Sequence, residues 1–508
     1  MNTQKKDFLA VILIILICFL VYSNIFTNEF VYDDKKIIVE NDIIKDIKNI
    51  PEIFSTDYWG GKSGDIFYRP LVILSFAFNY LVGGLNPFGY HLVNVLFHAF
   101  NAILVFFLIN LVFEKRWLSF LTALLFVIHP IQTETVTFIV GRADLFATFF
   151  LLFALFLYIK RYSFEDENKK KYYYIFSLFL FFLALLSKEN AILLIGIIIL
   201  YDFSFRLYNY DDKFFKKIWL NFIKRIKIYL GYLLVIILWI FIRFLALKPL
   251  PIFHFSSNFL NNPVANAGLY SQIMTGLKVT GLYLKLLLFP VELSADYSYN
   301  QISVSNSIFE PSVIFSFLVL FGLLLLAIFI YKKSKLIFFS VIFLIITIIP
   351  FSNLITPIST IMGERLLYLP SLGFCLLLAG IVYRGWNMHA IVNIQKIIKI
   401  IVIIFLVFIL IFYFLISFER NSDWKDSQTL WTKTIITSPN SAKAHYNLGS
   451  IYYEQNLYDK AEAEYKKALE IYPDYLDVHN NLGLIYIEEG FYDKSIIEFK
   501  EASRINIK

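Results

Sequence analysis

From its start to about residue 417 this chain is a succession of long apolar blocks, and those blocks restrict what it can fold into. A helix crossing a bilayer needs about 20 mostly apolar residues. Candidate spans of that kind run over 8–26, 89–112, 117–131, 144–160, 172–187, 190–206, 228–247, 312–331, 336–355, 366–384 and 394–417. The composition agrees, with 58% hydrophobic and 19% aromatic residues but only 17% charged among 508. A soluble chain is about half apolar and a quarter charged. From Phe418 to Lys508 the pattern reverses, and the chain becomes polar, acidic and helix-prone. Two domains are expected, a membrane bundle over 1–417 and a tail over 418–508.

The net charge of +7 does not indicate nucleic-acid binding. The basic residues fall in short loops between apolar blocks, while the tail that could reach a polymer is acidic. Lys5-Lys6, Lys115-Arg116, Lys160 to Lys171, Lys213 to Lys227, Lys332-Lys333-Lys335 and Lys396-Lys399 all lie on one side of the expected bundle. The positive-inside rule makes that side cytoplasmic. Residues 273–290 carry Lys278 and Lys285 and end at Pro290, so they read as a re-entrant or interfacial amphipathic helix. Pro70 to Gly84 is short enough to lie in the interface. The first block lacks a small-residue cleavage site and reads as a retained helix. About eleven spans result, with a cytoplasmic N-terminus and an external tail (periplasmic, or in the ER lumen of a eukaryote). Cys18 and Cys375 sit in apolar spans and supply neither a disulfide framework nor metal-ligand spacing.

The tail repeats itself. Asn447-Leu448-Gly449 recurs as Asn481-Leu482-Gly483, Tyr458-Asp459-Lys460 as Tyr492-Asp493-Lys494, and Pro439 as Pro473, each 34 residues on. That is the tetratricopeptide period, in which two antiparallel helices close over small residues and a proline stops the second. Repeats are expected over about 442–475 and 476–508, with Trp424 to Pro439 a lone second helix before them. Such arrays bind peptides in a concave groove, which suggests a protein client or an assembly contact; a structural cap is the simpler alternative.

Ionisable residues near hydrocarbon are expensive and need a reason. In this topology Asp33-Asp34, Arg69, His129, Glu134, Arg142, Asp144, Lys188-Glu189 and Glu364-Arg365 gather on the outer face, although none of them sets it. Charges meeting there from unrelated helix ends imply a shared polar cavity. The plainer readings are local: Asp33-Asp34 capping the next helix, Arg142 pairing with Asp144, and Glu364 bridging to neighbours of Arg365. His91, Asn94, His98 and Asn101 share one helical face. His91 and His98 stand about 10 Å apart along a helix axis, too far for one ion alone, so an interhelical hydrogen-bonded stripe is expected.

Several segments, in this order, resemble the transmembrane and tetratricopeptide-repeat-containing O-mannosyltransferases and their bacterial relatives. They are Phe30 to Asp34, Asp57 to Trp59, Tyr68-Arg69-Pro70-Leu71, Gly89-Tyr90-His91-Leu92 with Asn94, and His129-Pro130. Gly141 to Leu145, Lys188-Glu189, Glu364 to Pro370 and Trp424-Lys425-Asp426-Ser427 continue the match. The resemblance implies an all-α, GT-C type membrane bundle, with the acidic pair in a first external loop over 28–87. It implies transfer of a hexose, with mannose the leading candidate, from a polyprenyl-phosphate donor to Ser/Thr hydroxyls of exported proteins. The family's acidic pair carries over onto Asp33 and Asp34. A carboxylate can take the acceptor proton, and Asp34 is slightly favoured; the other would orient the acceptor or bind a metal. Cations must stabilise the departing phosphate, and Arg69, Arg142, Lys188 and Arg365 are the candidates. His91, His129, Glu134, Asp144, Glu189 and Glu364 complete the expected substrate site. A divalent cation is the one cofactor left open.

Three other readings compete. A related transferase would act on a lipid or glycan, which makes less use of a peptide-binding tail. A non-catalytic scaffold presenting the repeats would not need the polar outer face. A transporter would show broken spans in matched halves, and no such symmetry is present.

Overall fold

The computed structural model describes residues 3–61, 67–206, 214–247, 258–388 and 392–507. The Lys213 end of one expected basic stretch lies outside them. Every regular element among the described residues is helical. The chain divides into two compact units: Met1–His254 with Leu318–Ile349 and Arg365–Ser422, and Phe255–Phe317 with Pro350–Glu364 and Asp423–Lys508.

The first unit is the helix bundle. Among the described residues six helices are long and apolar enough to cross a membrane: Pro87–Phe113, Ile139–Ser163, Glu167–Ser187, Arg225–Leu247, Pro311–Ile330 and Ile394–Trp424. A seventh arises if Arg116–Ile128 and Pro130–Thr137, bent by 54° at His129, count as one. The chain is an integral membrane protein. The eleven expected blocks therefore do not all become full spans. Pro70–Gly83, Lys335–Phe351 and Pro370–Trp386 are shorter apolar helices. The block at 190–206 is helical throughout but changes type, from a 3-10 helix over Glu189–Ile192 to the α-helix Leu193–Tyr201 and a π-helix over Asp202–Arg206. Burial separates the helices further: 72% of the apolar window of Ile139–Ser163 is buried, against 11% for Ile394–Trp424. The first is a core helix; the second presents most of its surface to its surroundings.

Local signals set the helix ends. Asn86 caps Pro87–Phe113 by accepting from the Phe88 amide, with Pro87 at the first helical position, and Glu114 ends it in the left-handed region at φ 55°. Asp166 starts Glu167–Ser187 by accepting from Asn168 N. The polar stripe is hydrogen-bonded between helices. His98 Nδ1 meets the Tyr368 hydroxyl at 2.8 Å, Asn101 donates to the same hydroxyl and to Leu145 O, and Asn94 donates to carbonyls over 136–139.

The second unit contains the helices Ser427–Thr437, Ala442–Glu454, Tyr458–Ile471, Leu476–Glu488 and Tyr492–Ile507. The first precedes the repeat helices and packs against Ala442–Glu454. The remaining four pair in order, and the repeat pattern shows why. A Cβ on Gly449 would stand 2.7 Å from the Tyr465 ring, and one on Gly483 2.8 Å from Phe499, so only glycine permits these approaches. His445 and Glu464 meet at 2.6 Å, as do their repeat equivalents His479 and Glu498. Segments outside the tail also join this unit. Leu260 packs into the repeat core, and Tyr299–Asn300 hydrogen-bonds the backbone at Asn440 and Ala442.

Candidate functional site

The acidic pair sits in a loop tied down at several points. The Asn28 side chain donates to Asn421 O, Thr137 donates to the Asn421 side chain, and Asn421 in turn donates to Val21 O. Tyr32 adopts φ 50°, which turns the chain so that Asp33 and Asp34 follow immediately. The two carboxylates then face different surroundings. Asp34 is fully buried; one oxygen accepts from Val31 N at 3.2 Å and the other from Val140 N at 3.0 Å. It makes no side-chain cap to the turn that follows it. Burial pushes the Asp34 carboxyl well above the ordinary carboxylate range, against the pull of these amides. Asp33 is partly exposed and lies within electrostatic reach of Arg365.

Val140 belongs to the turn that launches Arg142, and a Cβ on Gly141 would fall 2.3 Å from Thr135 O, so the turn closes only around glycine. Arg142 is completely buried with its donors engaged. Nε donates to Asn94 at 2.9 Å, Nη1 to Asn79 at 2.5 Å and Ser75 at 3.2 Å, and Nη2 to Tyr90 O at 2.8 Å. Phe76 and Tyr90 present ring faces to its guanidinium. No carboxylate is among these partners; Asp34 acts on Arg142 through its field. Asp34 and Arg142 thus brace the first loop against the bundle.

Three ion pairs complete the site. Lys188 Nζ meets both Asp144 oxygens at 2.8 and 2.6 Å, with Asp144 4% exposed. Arg69 grips Glu189 with Nε at 3.1 Å and Nη2 at 2.6 Å, and stacks on Phe67 and Tyr58. Glu134 accepts from both the backbone amide of Arg365 at 2.8 Å and its Nη1 at 2.5 Å. These pairs feel one another: Lys188 senses Arg69, Glu189 and Arg365, and Arg365 senses Asp33 and Asp144. Burial pulls Lys188 below the usual amine range, and the field of Arg69 reinforces this while Asp144 opposes it. Burial alone would raise Glu189, but the charge and hydrogen bonds of Arg69 prevail and hold its carboxyl at about 2. The Arg365 side chain remains 30% exposed.

The remaining expected site residues lie elsewhere or serve the fold. His91 Nε2 donates to Asn28 O at 3.2 Å and steadies the first loop. His129 Nδ1 accepts from Ile131 N at the bend, with its ring against Phe374 and Tyr413. Glu364 belongs to the second unit, where it accepts from Ser294 N and the Tyr297 hydroxyl. Among the described residues no group of three or more His, Cys, Asp or Glu side chains is arranged to hold a metal.

Sequence reasoning passed over Ser75 and Asn79, two partners of Arg142, and also Arg243, whose charge acts on Glu189. Arg243 had a signal, a lone cation within the apolar run from Ile236 to Leu247. Asn79 had the same kind of signal in its own apolar helix.

Known proteins are similar in sequence to this chain over most of its length. The Protein O-mannosyl-transferase TMTC3 of Mus musculus is 28% identical over 486 residues, covering 92% of this chain and 51% of its own length. The chain is a homologue of the protein O-mannosyl-transferases. The human TMTC3 protein is 27% identical over 93% of the chain, and the Caenorhabditis elegans Protein O-mannosyl-transferase F38B6.6 is 29% identical over 89%. The chain spans about half the length of the TMTC3 relatives, 51% and 52%. Two family models, described as TPR repeat and Tetratricopeptide repeat, match residues 449–490 and 476–506, where the paired helices lie. A slighter likeness is to ArnT from Cupriavidus metallidurans bound to undecaprenyl phosphate, at 12% identity and a TM-score of 0.41 over 87% of this chain and 79% of that one.

Proposed function

We propose that this chain is a membrane glycosyltransferase that moves a hexosyl group, mannose foremost, from a polyprenyl-phosphate donor to Ser/Thr hydroxyls of exported proteins. The observation that carries the reading is the division of labour in the acidic pair. Asp34 is sealed onto two amides, while Asp33 stays partly exposed in the field of Arg365. Asp33, rather than the initially favoured Asp34, is therefore the general base. The acceptor oxygen bonds to the anomeric carbon as its proton passes to Asp33. The bond from that carbon to the donor phosphate oxygen breaks, and its electron pair leaves with the phosphate. Arg365, oriented by Glu134 and still 30% exposed, stabilises that oxygen. A single displacement of this kind inverts the anomeric centre. Arg69–Glu189 and Lys188–Asp144 keep the surroundings charged without adding a second base. The names of the relatives support the transfer chemistry, and the repeats support a protein acceptor. The proposed orientation has a cytoplasmic N-terminus and the repeats on the outer side.

The test uses the purified full chain in detergent with polyprenyl-phosphate mannose and a Ser/Thr peptide. Mass spectrometry should detect mannosylated peptide, and a parallel reaction with EDTA reads any divalent-cation requirement. Folded protein that yields no glycopeptide with any polyprenyl-phosphate hexose would overturn the assignment.

A further inference from the structure

At the end of the bundle away from these ion pairs lies a second concentration of charge. The helix Arg142–Lys160 starts beside the site and runs 19 residues, about 28 Å at 1.5 Å per residue. Arg161 follows directly. The next helix, Glu167–Ser187, returns, with Tyr174 near its start and Lys188 just past its end. Arg161, Arg206 and Arg225 all converge on one ring, that of Tyr162, at 4.6, 3.9 and 5.4 Å from its centroid. The Tyr162 hydroxyl accepts from Arg161 Nη2 at 2.6 Å and Arg225 Nη1 at 2.8 Å. Arg161 also stacks on Tyr158 and Tyr174.

The described residues pair these three guanidiniums with a single carboxylate, Asp202. It is completely buried; Arg225 holds one oxygen at 2.8 Å, and the Tyr158 and Tyr229 hydroxyls hold the other at 2.5 and 2.8 Å. Among the described residues one negative charge thus stands against three positive ones. Lys335 adds a further positive charge over the ring of Phe205, next to Arg206 in the chain. Like charges repel unless an anion joins them. A second observation points the same way: Arg161 is 5% exposed, yet its Nε has no hydrogen-bond partner. A buried charged donor without an acceptor is costly. Access is open, because Arg206 is exposed and Arg225 retains 19% of its side-chain surface.

We propose that Arg161, Arg206 and Arg225, arranged around Tyr162, form a phosphate-binding site distinct from the transfer site. Planar guanidinium forks match phosphate oxygens, and aromatic faces hold the forks in place. The ligand is a phosphate group, carried either by inorganic phosphate or by the headgroup of an anionic lipid.

The experiment titrates the full chain, in uncharged detergent, with inorganic phosphate and separately with phosphatidylglycerol. Thermal unfolding and native mass spectrometry are the readouts, with chloride at matched ionic strength as control. At least one probe should bind saturably beyond chloride. Arg206→Gln, an exposed change whose folding circular dichroism can verify, should weaken binding about tenfold, the loss of one charge-assisted contact. The double variant Arg206→Gln/Arg225→Gln should weaken it further. Saturation by phosphate alone identifies the free ion, and saturation by phosphatidylglycerol alone identifies the headgroup. If neither probe exceeds chloride, or if folded Arg206→Gln binds like the parent, the site does not exist.

Discussion

Replacing each aspartate of the acidic pair in turn separates catalysis from architecture. Asp34→Ala strips the acceptors from a buried amide, Val31 N, and a partly buried one, Val140 N, which now bond at 3.2 and 3.0 Å. A buried amide left unpaired costs about 1–3 kcal/mol, so the variant should lose about 2–6 kcal/mol of stability. Asp34→Asn keeps one acceptor but turns an NH2 toward the other amide, and should lose about half as much. Asp33 is partly exposed, and Asp33→Asn preserves shape, so it should destabilise less than Asp34→Ala. Its turnover should nevertheless fall by about 10²–10⁴-fold, the usual worth of a positioned base. Thermal unfolding in detergent measures the first quantity. Initial rates with saturating polyprenyl-phosphate mannose and a Ser/Thr peptide measure the second. The crossed pattern is the expected result, with Asp34→Ala unstable and Asp33→Asn stable but inactive. Two results would refute it: Asp33→Asn turning over within a few-fold of the parent, or Asp34→Asn losing turnover at unchanged stability. The latter would move the base to Asp34.

Arg142→Lys keeps a positive charge but cannot reach Asn94, Asn79 and Tyr90 O together. Losing two charge-assisted bonds should cost about 3–6 kcal/mol; lost activity at unchanged unfolding temperature would instead return Arg142 to the substrate. Glu189 titrates at about 2, below the ordinary 4.5. A depressed carboxyl contributes stability that is fully present above 4.5 and lost as the pH falls through about 2. The stability gap between the parent and Glu189→Gln should therefore shrink across that window in acid unfolding curves. A gap that widens toward acid would contradict the Arg69 pairing.

Much of this molecule is local and can be read directly from the sequence. Long apolar blocks specify membrane helices because each helix satisfies its own backbone. The 34-residue period specifies paired repeat helices because a glycine against an aromatic ring recurs where those helices touch. The members of the polar site were legible too, since charges rarely enter such a bundle without cause. Their partners were not. Sequence proximity suggested that Arg142 pairs with Asp144, yet Asp144 pairs with Lys188, 44 residues on, and Arg142 with Asn79 and Asn94. Arg69 reaches Glu189 across 120 residues and Arg365 reaches Glu134 across 231. Asp33 and Asp34 are chemically identical neighbours, and nothing in their order reveals which one is sealed. Helix packing decided that, because it alone brings the Val140 amide onto Asp34 and leaves Asp33 facing Arg365.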